Sequence, residues 1–141
     1  REGVRMSGRG NSSDWRAWLK YAQEDRDFAE GRMDEPGNAR HVALCAHQMM
    51  EHALKAVRVF HEGGLPERTH DLPMLAASLA EKGFFEFSEE EMDFLQELHS
   101  CFIPLKYPRS EAALPSHRKA KELFAAAAGL LERVRKETQY E

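Results

Sequence analysis

Apolar positions along this chain recur every three or four residues, and no stretch alternates strictly in the way a half-buried strand does. The pattern predicts an all-α protein. Residues 14–31 set Trp15, Trp18, Leu19, Ala22 and Ala29 on one stripe of a first helix, with Arg26 falling inside that stripe. Tyr21 and Phe28, a heptad apart, lie on a different face, which predicts a contact beyond the helix's own core. "MDEPGNA" then breaks the chain, and Asn38 is the expected N-cap of a second helix over residues 39–61. On that helix Val42, Ala46, Met49, Met50, Ala53, Leu54, Val57 and Phe60 cover nearly half the circumference, the arc of a helix packed on by several neighbours.

"THDLPMLAASLAEKG" predicts a short third helix at 70–82, with Pro73 in its first turn, Gly83 at its end, and Leu72, Leu75, Ala76 and Leu79 inward. "SEEEMDFLQELHSCF" opens with a capping box, Ser88 and Glu91, and its inner face reads Phe94, Leu95, Leu98, Cys101 and Phe102. Three prolines between residues 103 and 115 stop that fourth helix. Ser116 is the expected N-cap of a fifth, ending near residue 136, with Leu123, Phe124, Ala127, Leu130, Leu131 and Val134 inward. Short links between such helices predict an up-and-down antiparallel helical bundle, four main helices plus the short one, over residues 14–136. Residues 1–13 read as a flexible segment in which Met6 is the expected natural start, and 137–141 as a tail.

At 141 residues the chain has the length of one domain, able to bury about two-thirds of the surface it exposes when unfolded. Cys45 and Cys101 each sit in an apolar helical pattern, which predicts reduced thiols and a cytoplasmic location. No apolar run approaches the roughly 20 residues that cross a bilayer. A net charge of −4 argues against a protein that coats duplex nucleic acid. Local basic character remains: Lys106, Arg109, Arg118, Lys119 and Lys121 face a single acid, Glu111, between residues 105 and 121.

The chemistry-bearing residues concentrate on the second helix. His47, Glu51, Lys55 and Arg58 fall along one strip at i, i+4, i+8 and i+11, whereas His41 and His52 lie apart from His47. Helical zinc sites need two histidines four apart, so no metal site is expected here. The strip reads equally as a solvated face carrying a Glu51–Lys55 pair or as a functional one. In "ERTHDL" the expected reading is capping by Thr69 or Asp71, with His70 incidental. Neither a Gly-x-Ser-x-Gly elbow nor a P-loop is present, so any nucleotide contact must come from side chains or helix N-termini. Lys106, Arg109, Arg118 and Lys119 around the start of the fifth helix suit phosphate, and Tyr107 suits stacking on a base.

In their order, these pieces resemble the HEPN domain, the higher-eukaryote and prokaryote nucleotide-binding domain. "WLKYAQEDRDFAEG" is similar to its first helix, "AHQMMEHALKAV" to its second with an acid and a lysine at Glu51 and Lys55, "RTHDLPML" to the entrance of its third, and "LKYP" to the Arg-Tyr-Pro element after its fourth. Arg26 stands where the family usually has leucine, and Lys106 where it usually has arginine, which keeps the charge but loses bidentate phosphate recognition. The resemblance implies a homodimeric bundle without a cofactor, often encoded beside a minimal nucleotidyltransferase in toxin–antitoxin type systems. Members serve as nucleotide-binding modules or as metal-independent RNase toxins. Its implied nucleotide or phosphate site draws on Lys106, Tyr107, Arg109, Arg118, Lys119, Glu51, Lys55, His70 and Asp71. The RNase members carry Arg, four to six residues, then His, late in the domain. Here the late pair, Arg109 and His117, is separated by seven residues, and Arg40 with His47 fits the window only at the start of the second helix. Binding without efficient cleavage is therefore the expectation, with Arg109 and His117 the catalytic candidates otherwise.

Overall fold

Residues 39–62 carry apolar side chains over nearly half a helical circumference, and the rest of the chain is arranged around them. The computed structural model describes residues 12–102, 106, 108 and 114–140, which contain helices and no strand. The elements are α1 (Trp15–Glu30), a 3-10 turn (Pro36–Asn38), α2 (Ala39–Glu62), α3 (Leu72–Glu81), α4 (Glu89–Ser100) and α5 (His117–Thr138). Both α1 and α5 pack extensively along α2, while α3 and α4 pack on each other and on α2. Alanines at 22 and 29 of α1, 43, 46, 53 and 56 of α2, and 120 and 127 of α5 are all buried. Side chains this small let helix axes approach closely. Leu19, Met49, Met50, Leu54, Leu95, Leu98 and Leu131 fill the volume between them.

The ends of the helices follow from local chemistry. Asp14 caps α1 through the amide of Arg16, Asp71 caps α3 through Met74, and Ser116 caps α5 through Lys119. Ser88 and Glu91 form the reciprocal capping box of α4. Gly83, at φ 74°, lets the chain reverse after α3 so that the Phe84 amide donates back to the Leu79 carbonyl at 2.9 Å.

Four expectations need correction. Asn38 occupies the N-cap position of α2 but makes no cap bond; its side-chain amide donates to the Arg32 carbonyl at 3.0 Å instead, and the 3-10 turn leads into the helix. Phe60, counted into the buried arc, is 38% exposed, with its ring edge-on to Trp15 at 5.0 Å. Helix α5 runs to Thr138, which is buried, and Tyr140 packs against Trp15, so residues 137–140 join the bundle. Arg26, inside the apolar stripe of α1, carries its guanidinium outward to Glu30 and to Glu132 of α5.

Leu54 is 1% exposed on the central helix. Leu54→Ala is expected to lower the unfolding free energy by about 2 to 5 kcal/mol, measured by urea denaturation, because its neighbours on several helices cannot all collapse into the void.

Candidate functional site

The charged strip of α2 is not a solvated face. His47 is fully buried, Glu51 is 8% exposed and Lys55 is 5% exposed. Trp18 from α1, His70 from the segment before α3, and Phe102 and Lys106 beyond α4 join Glu51 and Lys55 around a cleft of about 240 Å³, together with Leu44, Gln48 and His52. A charge withdrawn from water on this scale must be paired. Lys55 Nζ donates to Glu51 Oε2 at 2.9 Å, and His70 Nδ1 lies 2.8 Å from Glu51 Oε1. Burial alone would push the Glu51 carboxyl up, but the hydrogen bonds from Lys55 and His70 outweigh it and hold the group below the usual carboxylate range. An ionised carboxylate only accepts, so His70 donates from Nδ1 and its Nε2 stays available for another partner.

Aromatic rings form the remaining walls. Phe102 stacks on His47 at 4.4 Å and on His70 at 5.0 Å between centroids, and Lys106 Nζ stands 5.5 Å from the Phe102 ring centre. Across the cleft, Trp18 faces Lys55 Nζ at 5.5 Å and His52 at 5.6 Å. The ring of His52 is oriented by Asp25 at 2.8 Å and touches Tyr21 edge-on. His47 has no well-formed hydrogen bond on either ring nitrogen among the described residues; the backbone of His70 is a polar group that comes near. Its ring is held neutral, with a pKa lowered to about 4.

Glu51, Lys55, His70 and Lys106 thus converge on one cleft. The other candidates among the described residues do not line it. Asp71 is occupied with the Met74 amide as the cap of α3 and sits 3.9 Å from His99. Lys119 pairs with Glu97 at 2.8 Å, and Arg118, largely exposed, lies 3.3 Å from Glu122. His117 Nε2 donates to the Met33 carbonyl at 2.6 Å, tying the start of α5 to the segment after α1. Arg40 lies 3.3 Å from the neighbouring His41. Tyr107 and Arg109 lie outside the described residues. His70, expected to be incidental to capping, is instead the second partner of Glu51, while Asp71 does the capping and Thr69 Oγ1 accepts from the Asp71 amide. The roles of Trp18, Phe102 and the His52–Asp25 pair were not foreseen; their spacing marks the two rings only as core.

No three His, Cys, Asp or Glu side chains among the described residues are grouped to hold a metal ion. Burial, with Asp25 adding, pushes the Cys45 thiol up to about 11, and burial with Glu97 raises Cys101 as well, so neither offers a thiolate nucleophile at neutral pH. No helix of the described residues is long and apolar enough to cross a membrane.

Comparison with known proteins gives two matches. The HEPN domain profile covers residues 15–137. Among solved structures, the crystal structure of TT1696 from Thermus thermophilus superposes with a TM-score of 0.72 at 22% identity, over 87% of this chain and 97% of that one, a likeness of fold. No curated protein matches the chain.

His47 makes stability depend on pH. Burial is the main cause of its lowered pKa, His70 and His99 add to it, and Glu51 opposes it. Between the ordinary histidine value near 6.5 and the folded value of about 4, the unfolded chain binds more protons than the folded one. The stabilisation is therefore complete above about pH 6.5 and is lost as pH falls toward 4, by roughly 3 kcal/mol at most. In urea unfolding at pH 7 and pH 4.5, His47→Leu is expected to remove about 2 to 3 kcal/mol of the acid-side loss seen in the unaltered protein.

Proposed function

Because the chain belongs to the HEPN domain family, we propose that it is a nucleotide- or RNA-binding module whose cleft beside α2 holds a phosphate and stacks a base. A single observation carries this reading: two lysines, Lys55 and Lys106, share one 240 Å³ cleft with the rings of Trp18 and Phe102. Phosphate needs positively charged donors, and a base needs a flat apolar face. His70 Nε2 adds a third donor on the same wall when the ring is protonated.

The module acts as a homodimer with a minimal nucleotidyltransferase partner, in a system of toxin–antitoxin type. Tyr21 and Phe28 support an interface on the outer face of α1, where they are 55% and 48% exposed and Arg32 stacks on Phe28 at 3.7 Å. Efficient RNA cleavage is not part of this reading. Metal-free cleavage by either Arg–His pair needs its histidine free to reach the 2′-hydroxyl, yet His117 is tied to the Met33 carbonyl and His47 is sealed in the core.

Two measurements test this. In fluorescence anisotropy with nucleotides and short RNAs, Lys106→Ala is expected to weaken binding about 3- to 10-fold and to reduce its salt dependence. Unchanged binding removes the cleft from the site, and chelator-resistant cleavage that is lost in His117→Ala replaces this reading with that of an RNase. In sedimentation at tens of micromolar the chain is expected at twice its 16.2 kDa mass. A species of single mass refutes the dimer.

A further inference from the structure

Opposite charges meet inside the cleft before any ligand arrives. Lys55 is engaged with Glu51 at 2.9 Å, His70 with the other oxygen of Glu51 at 2.8 Å, and His52 with Asp25 at 2.8 Å. On the cleft wall the Glu51 carboxylate thus meets the Lys55 ammonium directly, and Asp25 stands behind His52. Glu51 also has the shape of what it faces: each of its two oxygens receives one donor, as two oxygens of a phosphate would.

We propose that Glu51 is a built-in competitor for the phosphate, occupying from within the chain the place on Lys55 and His70 that a terminal phosphate monoester takes when it binds. This rests on the reading of the cleft as a phosphate site. Lys55 is too deeply buried to be left without an anion. A ligand must therefore either displace Glu51 or bind beside its negative charge. An internal phosphodiester brings one charge, no more than the carboxylate already supplies. A terminal monoester brings nearly two charges and three acceptor oxygens, and so outcompetes it. Glu51 thereby sets a threshold that favours phosphate ends over the interior of a nucleic-acid chain.

The test compares the unaltered protein with Glu51→Gln, which keeps the side-chain size and an acceptor oxygen but removes the charge. The probes are inorganic phosphate and a 5′-phosphorylated RNA tetramer with its 5′-hydroxyl counterpart. The unaltered protein is expected to prefer the phosphorylated tetramer about tenfold, and Glu51→Gln to bind inorganic phosphate and the phosphorylated tetramer about tenfold more tightly than the unaltered protein does. Glu97→Gln, which takes the nearer carboxylate from Lys119 outside the cleft, is the control and is expected to change neither. If Glu51→Gln binds phosphate equally or more weakly, or if Glu97→Gln produces the same gain, the proposal is overturned. Should Glu51→Gln fail to fold, Glu51→Asp decides: it withdraws the carboxylate by one methylene, and a rise of about threefold is expected, with no rise overturning the proposal. Thermal stabilisation by inorganic phosphate separates the two ideas. Greater stabilisation of Glu51→Gln without RNA binding upholds the competitor and fails the nucleic-acid reading, whereas RNA that binds the unaltered protein more tightly than Glu51→Gln does the reverse.

Discussion

The helix that supplies the core of this protein also carries Glu51 and Lys55 out of water, and that burial constrains what surrounds it. A carboxylate and an ammonium one helical turn apart ordinarily contribute a few tenths of a kcal/mol on a solvated face. Buried together, they require good geometry and a partner for the remaining oxygen, and His70 provides it. The segment before α3 is held against α2 by that bond, and Phe102, stacked on both His47 and His70, holds the end of α4 to the same spot. One polar cluster thus fixes how three separate stretches of chain meet around the cleft.

The cost of this arrangement falls on His47. A histidine with two ring nitrogens and no well-formed hydrogen bond in a dry setting is destabilising compared with an apolar residue of similar shape. Its neutral ring still packs flat on Phe102, so the wall of the cleft gains a rigid aromatic layer beneath its charged surface. Rigid backing of this kind keeps Lys55 and His70 in place relative to one another.

Features set by neighbours in sequence were legible in advance. The capping box of Ser88 and Glu91, the first-turn Pro73 and the apolar stripes each depend on residues within one or two turns. Whether the strip of His47, Glu51 and Lys55 faces water was not legible, because the answer depends on Trp18, His70 and Phe102, which come from three other parts of the chain. Asn38 shows the same limit on a small scale: its type suits an N-cap, but the Arg32 carbonyl, brought close by the turn after α1, takes the side chain first. The family resemblance implied a nine-residue site, of which Glu51, Lys55, His70 and Lys106 line one cleft, where helical periodicity treats them as unrelated positions.

The two tryptophans divide the molecule optically. Trp18 lies in the cleft wall against His52 and near the Lys55 ammonium, whereas Trp15, three residues earlier, sits among Phe60 and Tyr140 where α1 meets the end of α5. Indole emission shifts in colour and yield with the charges and proton donors around the ring. A molecule entering the cleft alters the surroundings of Trp18 and leaves those of Trp15 unchanged, while fraying of the terminal turn does the opposite. The protein therefore carries two native fluorophores, one in the wall of the cleft and one at the bundle's end.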